Sequence, residues 1–213
     1  SCAIASAQAK AARGPLKAAA VFAWAGPTVF QALSLAERAN IPLASIRTAV
    51  VQGMGPVGAF AVLALSALGV EQVIVVTARE KTERAALARR LGATEVLSLE
   101  AMGQEGVYQR IMDRTEGVGA DLAVEASGRP EAFPQGMSYL RPRGVYLVPG
   151  QYSNAGPVAV EPQLITLKAL QIFGSAQYNS RDIARYLSFM KANPQLHEAI
   201  ESLATCYDLE QVN

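Results

Sequence analysis

The chain has 213 residues and a mass of 22.5 kDa, a length that fits one large domain or, at a stretch, two small ones. Hydrophobic residues make up 51% and charged residues 17%, which excludes intrinsic disorder and supplies ample apolar surface for a core. Nineteen basic against eighteen acidic residues leave a net charge of +1, so no electrostatic footprint for nucleic acid or an anionic membrane surface emerges. Cys2 and Cys206 stand at opposite ends without CxxC or Cys/His spacing. They form neither a disulfide framework nor a structural zinc motif, which suits a reducing cytoplasm, the expected location.

In chain order, residues 1–17 show no firm pattern and read as a leader, and Val29–Arg38 (VFQALSLAER) reads as a helix with Pro27 in its first turn. Ile46–Gln52 is a short strand that stops at glycine, and Pro56–Leu68 a helix apolar nearly all round, hence buried against a sheet. Gln72–Thr77 (QVIVVT) is a second strand, buried on both faces. Glu80–Leu91 is a helix with acids early and Arg89 and Arg90 in its last turn, closed by Gly92. Strands then follow at Glu95–Leu99, Asp121–Glu125, Val145–Val148 and Leu170–Gly174, with helices at Glu100–Thr115, Pro130–Leu140 and Arg181–Lys191. Strands alternating with helices predict an α/β fold, a doubly wound parallel six-stranded sheet. The uncharged stretches 18–36 and 48–70 are long enough to span a bilayer, but both are broken by glycine, proline and polar residues, so no membrane span is expected.

Gly53-Met54-Gly55-Pro56-Val57-Gly58 is a complete G-x-G-x-x-G between a β-branched run and an apolar helix. In the Rossmann fold such a set has distinct tasks: Gly53 turns the chain off the strand, Gly55 lets a pyrophosphate approach the backbone, and Gly58 lets the helix pack against the sheet. The helix start offers N–H groups and a positive dipole end to phosphate. A tight turn without a ligand is the alternative reading.

The segments AGPTVFQAL (25–33), VVQGMGPVGAFAVLALSALG (50–69), ARRLGATEVL (88–97), GADLAVEASG (119–128), LRPRGVYLVPG (140–150) and KALQIFGS (168–175) resemble, in order and spacing, the nucleotide-binding half of the medium-chain dehydrogenase/reductase superfamily. The resemblance covers the chain from Ala18 onward and implies a dinucleotide-binding domain over 18–213. It implies an oxidoreductase that moves a hydride between NAD(P)(H) and a carbonyl, alcohol, quinone or enone. Members of that superfamily carry a separate β-rich, GroES-like catalytic domain, which this stretch does not contain, so a fragment holding the cofactor half, incomplete for catalysis alone, is expected. A non-catalytic nucleotide-binding module used as a sensor or assembly element is the rival.

The resemblance also places cofactor contacts on Gly53, Gly55, Pro56, Val57 and Gly58, on Glu125, Ala126 and Ser127 after the fourth strand, and on Val148 and Gly150 after the fifth. It puts Thr28 near the nicotinamide ring, although a plain place in the first turn of a helix explains Thr28 equally well. Zinc-dependent relatives often place a ligand four residues before that threonine. Here the position is Trp24, which cannot bind zinc and is expected to pack in the core below the cleft, so zinc is not supported by this chain. His197, the only histidine, is expected to be an exposed structural residue.

An NAD site usually ends its second strand with an acid for the ribose 2′-hydroxyl. Thr77 takes that place, and Arg79, Lys81 and Arg84 follow, so NADP is expected ahead of NAD, with Arg79 best placed for the 2′-phosphate and Glu80 the competing group. The apolar edge strand near residues 168–176 predicts a homodimer joined strand to strand.

Overall fold

The computed structural model describes residues 17–79 and 82–204. Predictions that fall on Cys2, Glu80, Lys81, Cys206 and the leader up to residue 16 lie outside those residues. Residues 17–21 are helical. The elements that follow are α1 (Ala25–Arg38), β1 (Thr48–Gln52), α2 (Pro56–Ala67), β2 (Gln72–Thr77), α3 (Thr82–Arg90), β3 (Glu95–Ser98), α4 (Leu99–Arg114) and β4 (Ala120–Glu125). They continue as α5 (Ala132–Tyr139), β5 (Leu140–Val148), α6 (Pro162–Leu167), β6 (Gln171–Gly174), α7 (Ser180–Ala192) and α8 (His197–Glu201). All neighbouring strands pair in parallel, in the order β3-β2-β1-β4-β5-β6. This is the Rossmann order, with its switch point between β1 and β4.

Both sheet faces are covered, and the strands alternate which side each residue serves. Ala49, Val51, Val73, Val75, Leu122, Val124, Val145 and Leu147 join one core with residues of α1, α2 and α7. Val50, Ile74 and Val76 meet Val107 and Ile111 of α4 on the other face, where Ala123 and Tyr146 meet Met137 of α5. The first core is centred on the fully buried ring of Phe60. Phe22 and Tyr186 lie 5.3 Å from it, and Phe30 and Phe189 5.9 Å, a geometry suited to ring pairs. That cluster locks α1, α2 and α7 together.

Boundaries differ from the sequence-based ones for local reasons. β1 begins at Thr48 rather than Ile46, because the Ile46 N–H closes a short 3-10 turn on the Leu43 carbonyl at 3.2 Å. β5 begins at Leu140 rather than Val145, since Leu140 pairs with Ala120 ahead of a register shift, and Arg143 there adopts φ 61°. α4 is interrupted at Gly103, whose φ 70° and ψ 173° leave the helical region. α1 starts at Ala25 rather than Val29 with no side-chain cap to announce it. α6 is a six-residue helix with no buried residue, so no periodicity betrays it.

Asp121 ties the starts of β1 and β4 to the bend in β5. Its carboxylate accepts the N–H groups of Arg47 (2.8 Å) and Thr48 (2.9 Å) and the Arg141 Nε–H at 2.6 Å. Burial alone would raise the Asp121 carboxyl, but these donors and the Arg141 charge outweigh it and hold the group below its ordinary value. A depressed carboxyl stabilises the fold above the ordinary carboxylate range and loses that contribution as the pH falls through its folded value. Asp121→Asn should therefore cost about 1–3 kcal/mol at neutral pH. The gap between variant and native chain in chemical denaturation should close as the pH falls below the ordinary carboxylate range.

Candidate dinucleotide-binding cleft

β1 ends at Gln52, and Gly53 adopts φ 97°, a left-handed conformation that favours glycine. A Cβ there would also come within 2.9 Å of the Ser127 Cα. The turn off β1 and the turn off β4 thus lie against each other, and the Ala126 N–H donates to the Gln52 carbonyl at 3.0 Å. Gly58 faces the same turn: a Cβ on it would overlap the Gly53 carbonyl oxygen. This contact holds α2 close over the end of β1. At Gly55, the N-cap of α2, a Cβ would meet nothing within 4 Å and would project into open space. Pro56 has no N–H, and the first to find a carbonyl is that of Ala59, on Gly55 at 2.8 Å. Among the described residues the Val57 and Gly58 N–H groups have no partner and remain available to an anion.

The turn after β4 is built on Glu125. This side chain is fully buried, and one carboxylate oxygen accepts the Ser127 N–H (2.8 Å), the Ser127 hydroxyl (2.6 Å) and the Gly128 N–H (2.9 Å). Its other oxygen has no partner among the described residues. Gly150 after β5 lies so close to Glu125 that a Cβ would overlap the carboxylate, and its N–H donates to the Glu125 carbonyl at 2.9 Å. Beneath the cleft, Gln52 donates to the Ala132 carbonyl at 2.7 Å and accepts the Tyr146 hydroxyl at 2.8 Å. Burial, then the Glu125 charge, pushes the Tyr146 phenol well above its ordinary value, so it stays a donor to Gln52.

These turns open into a cavity of about 740 Å³ at the carboxyl ends of β1, β2 and β4. Its wall includes Gly53 and Gly55, then Thr77 at the end of β2 with Arg79 and Arg84 beyond it, and Ala126 and Ser127 beyond β4. Seven expected contact residues are thereby brought together. Pro56, Val57, Gly58, Glu125, Val148 and Gly150 are not on the wall. Val57, Gly58, Glu125 and Val148 are buried behind it and shape its backbone. Thr28 is also off the wall: its buried hydroxyl donates to the Trp24 carbonyl at 2.8 Å. Gln52, Met54, Leu99, Glu100, Arg129, Glu131 and Gln135 line the cavity and were not singled out by sequence. The polar Gln52 at the end of an apolar strand, and Arg129 directly after the glycine turn, are the signals that could have found two of them.

Two expectations are corrected. Trp24 does not pack in the core. It is 51% exposed, with its ring edge-on to Tyr152 at 6.3 Å, because the backbone at Trp24 caps α1 and turns the side chain outward. His197 is not exposed but half-buried, its Nε2 lying 2.7 Å from the Met190 carbonyl oxygen, well away from the cleft in sequence and packing.

With this geometry, the comparisons with known proteins agree. The zinc-binding dehydrogenase family matches residues 56–192. The chain belongs to that family. It is similar to 5-exo-hydroxycamphor dehydrogenase of Pseudomonas putida, 37% identical over 128 residues, which cover 60% of this chain and 35% of that protein. It is similar to glucose 1-dehydrogenase of Thermoproteus tenax, 32% identical over 75% of this chain and 43% of the other. Among solved structures, an alcohol dehydrogenase from Thermotoga maritima superposes with a TM-score of 0.76 at 28% identity, over 85% of this chain and 47% of the other. The chain thus spans about half the length of that solved relative, and less of the curated ones. The family's name implies a metal, and among the described residues no cluster of three or more His, Cys, Asp or Glu side chains is placed to hold one. No described helix is long and apolar enough to cross a membrane.

The glycine geometry separates two roles that the motif combines. Gly55→Ala should fold with an unchanged melting temperature yet weaken dinucleotide binding by about tenfold or more, because its methyl group enters the cavity. Gly58→Ala should lower the melting temperature, because the methyl group displaces α2 from the Gly53 carbonyl. Thermal unfolding and nucleotide fluorescence titration on both variants check the separation.

Proposed function

We propose that this chain is the dinucleotide-binding domain of an NAD(P)-dependent alcohol dehydrogenase-like oxidoreductase, with NADP preferred. The observation that carries the reading is the cavity at the switch point, where the glycine turn and bare start of α2 face Arg79 and Arg84. The residues present suit a dinucleotide. Gly55 leaves room at a helix N-terminus for a pyrophosphate, and no acid ends β2. Thr77 instead turns its hydroxyl to the Leu97 carbonyl at 3.2 Å. Among the described residues neither Arg79 nor Arg84 makes an ion pair, so both cations are free for the 2′-phosphate of NADP.

When bound, a nicotinamide dinucleotide supplies or accepts the hydride exchanged with a carbonyl, alcohol, quinone or enone substrate. The chain's own residues bind and orient it. The Val57 and Gly58 N–H groups hold the pyrophosphate, Ser127 meets the ribose from a turn fixed by Glu125, and Val148 and Gly150 back the nicotinamide side. Polarisation of the substrate would come from a further, GroES-like domain of the kind expected from the family resemblance. Titration of the chain with NADPH and NADH, followed by nucleotide fluorescence, tests the reading: tight NADPH binding without turnover of aldehydes, quinones or enones is expected. Binding of neither nucleotide would refute it. Arg79→Ala should weaken NADPH binding about 10- to 100-fold and leave NADH nearly unchanged.

The assembly proposed is a homodimer through β6. That strand ends the sheet, and its Gln171, Ile172 and Phe173 are only half-buried. An apolar edge with open backbone groups favours pairing with a second copy. Light scattering at micromolar concentration should report twice the chain mass, and Ile172→Pro, which removes an edge N–H, should return it to the monomer.

A further inference from the structure

Most of the exposed apolar side chains are scattered, but two large aromatics meet. Trp24 is 51% exposed and Tyr152 74%, and their rings touch edge to face at 6.3 Å. Both are anchored from behind. The Trp24 carbonyl accepts the Thr28 N–H at 3.3 Å and the Thr28 hydroxyl at 2.8 Å, which fixes the first turn of α1. Gln151, next to Tyr152, donates to the Arg129 carbonyl at 2.7 Å, and Arg129 lines the nucleotide cleft. The pair is therefore tethered beside that cleft.

The two segments that carry it hold no charge. Trp24 lies within the uncharged stretch 18–36, and Tyr152 within the uncharged stretch 144–160. Of the cationic groups on the cleft, Arg79 and Arg84 lie past β2, in the other half of the sheet, and Arg129 is paired with Glu131 at 3.8 Å. A sheet of this order binds one mononucleotide on each side of the switch point. If the ribose phosphate end lies by β2, the nicotinamide end lies by β4 and β5, from which the loop carrying Tyr152 departs.

We propose that Trp24 and Tyr152 form a substrate subsite that takes a neutral, apolar, ring-bearing alcohol or carbonyl compound. The naming of this ligand as a substrate rests on the cofactor reading above. Two aromatic faces set at an angle present a large, rigid apolar surface that loses little side-chain entropy on binding a ring. With no cation or acid in either segment, and Arg129 already paired with Glu131, a carboxylate, phosphate or amino-acid substrate would gain little there, and a polyol would lose water without replacement.

Trp24 is the only tryptophan of the chain, so its emission reports on the subsite alone. The chain loaded with NADPH, which cannot oxidise an alcohol, is titrated with cyclohexanol and separately with glycerol. Cyclohexanol should change Trp24 emission saturably, and glycerol should not. Tyr152→Ala, a truncation of an exposed side chain that leaves the core intact, should raise the half-saturating cyclohexanol concentration about 2- to 10-fold. A linear response identical in native and variant chains would overturn the proposal. So would a Trp24 emission that shifts with protein concentration instead, which would assign the pair to contact with a second copy. NADPH fluorescence is read in the same cuvette. Loss of that signal alone would count against the cofactor reading, while saturation by cyclohexanol would still uphold the apolar site.

Discussion

The approach of Gly58 to the Gly53 carbonyl is the contact on which the rest of the cleft depends. Neither residue can carry a side chain: Gly58 for want of space, Gly53 because its φ of 97° and the nearby Ser127 Cα both exclude one. Bringing the helix this close places the start of α2, with its unpaired N–H groups, at the end of β1, directly behind the crevice wall. The same closeness draws the turns after β1 and β4 together, so both walls of the cavity meet at Gly53. Glu125 completes the arrangement from below by gathering three donors from the second turn onto a single buried oxygen.

Polarity is distributed unevenly along the crevice, and this has a physical origin in the sheet. The central strands are buried on both faces, so their carboxyl ends are where polar and charged groups can reach solvent and ligand together. Around β2 that freedom is used for cations, with Thr77 turned aside toward β3. Around β5 it is used for neutral backbone and two exposed aromatic rings. The metal implied by the family's name finds no matching cluster among the described residues.

The six strands and their sequence were legible because β1 and β2 are runs of β-branched residues and the other four are short apolar runs bounded by glycine, proline or charge, and the glycine motif fell directly between the first strand and helix. What was misjudged depended on partners remote in sequence. β1 is shortened by a 3-10 turn at Leu43–Ser45, and β5 is lengthened through a bulge opposite Ala120. α6 is too short and too exposed to produce a periodic pattern. In the cleft, Gln52 gained its position from Ala132, 80 residues away, whereas Arg129 is set by the adjacent Ser127 turn. Trp24 read as core because a lone tryptophan among small apolar residues usually is; the helix it caps turns it out.

By itself the amino-acid sequence determined the parallel α/β class, the order of elements and the location of the phosphate turn, since these follow from hydrophobic period and glycine placement, which are local properties. Only the tertiary structure decided which members of the motif touch open space and which merely permit packing: Gly55 the first, Gly58 the second. It alone also decided that Glu125 is a buried brace rather than a surface contact, and that Trp24 and Tyr152, 128 positions apart, share one exposed face. Those outcomes depend on distances between segments far apart in the chain, and such distances are set when the sheet order and the packing of α1, α2 and α7 around Phe60 are set together.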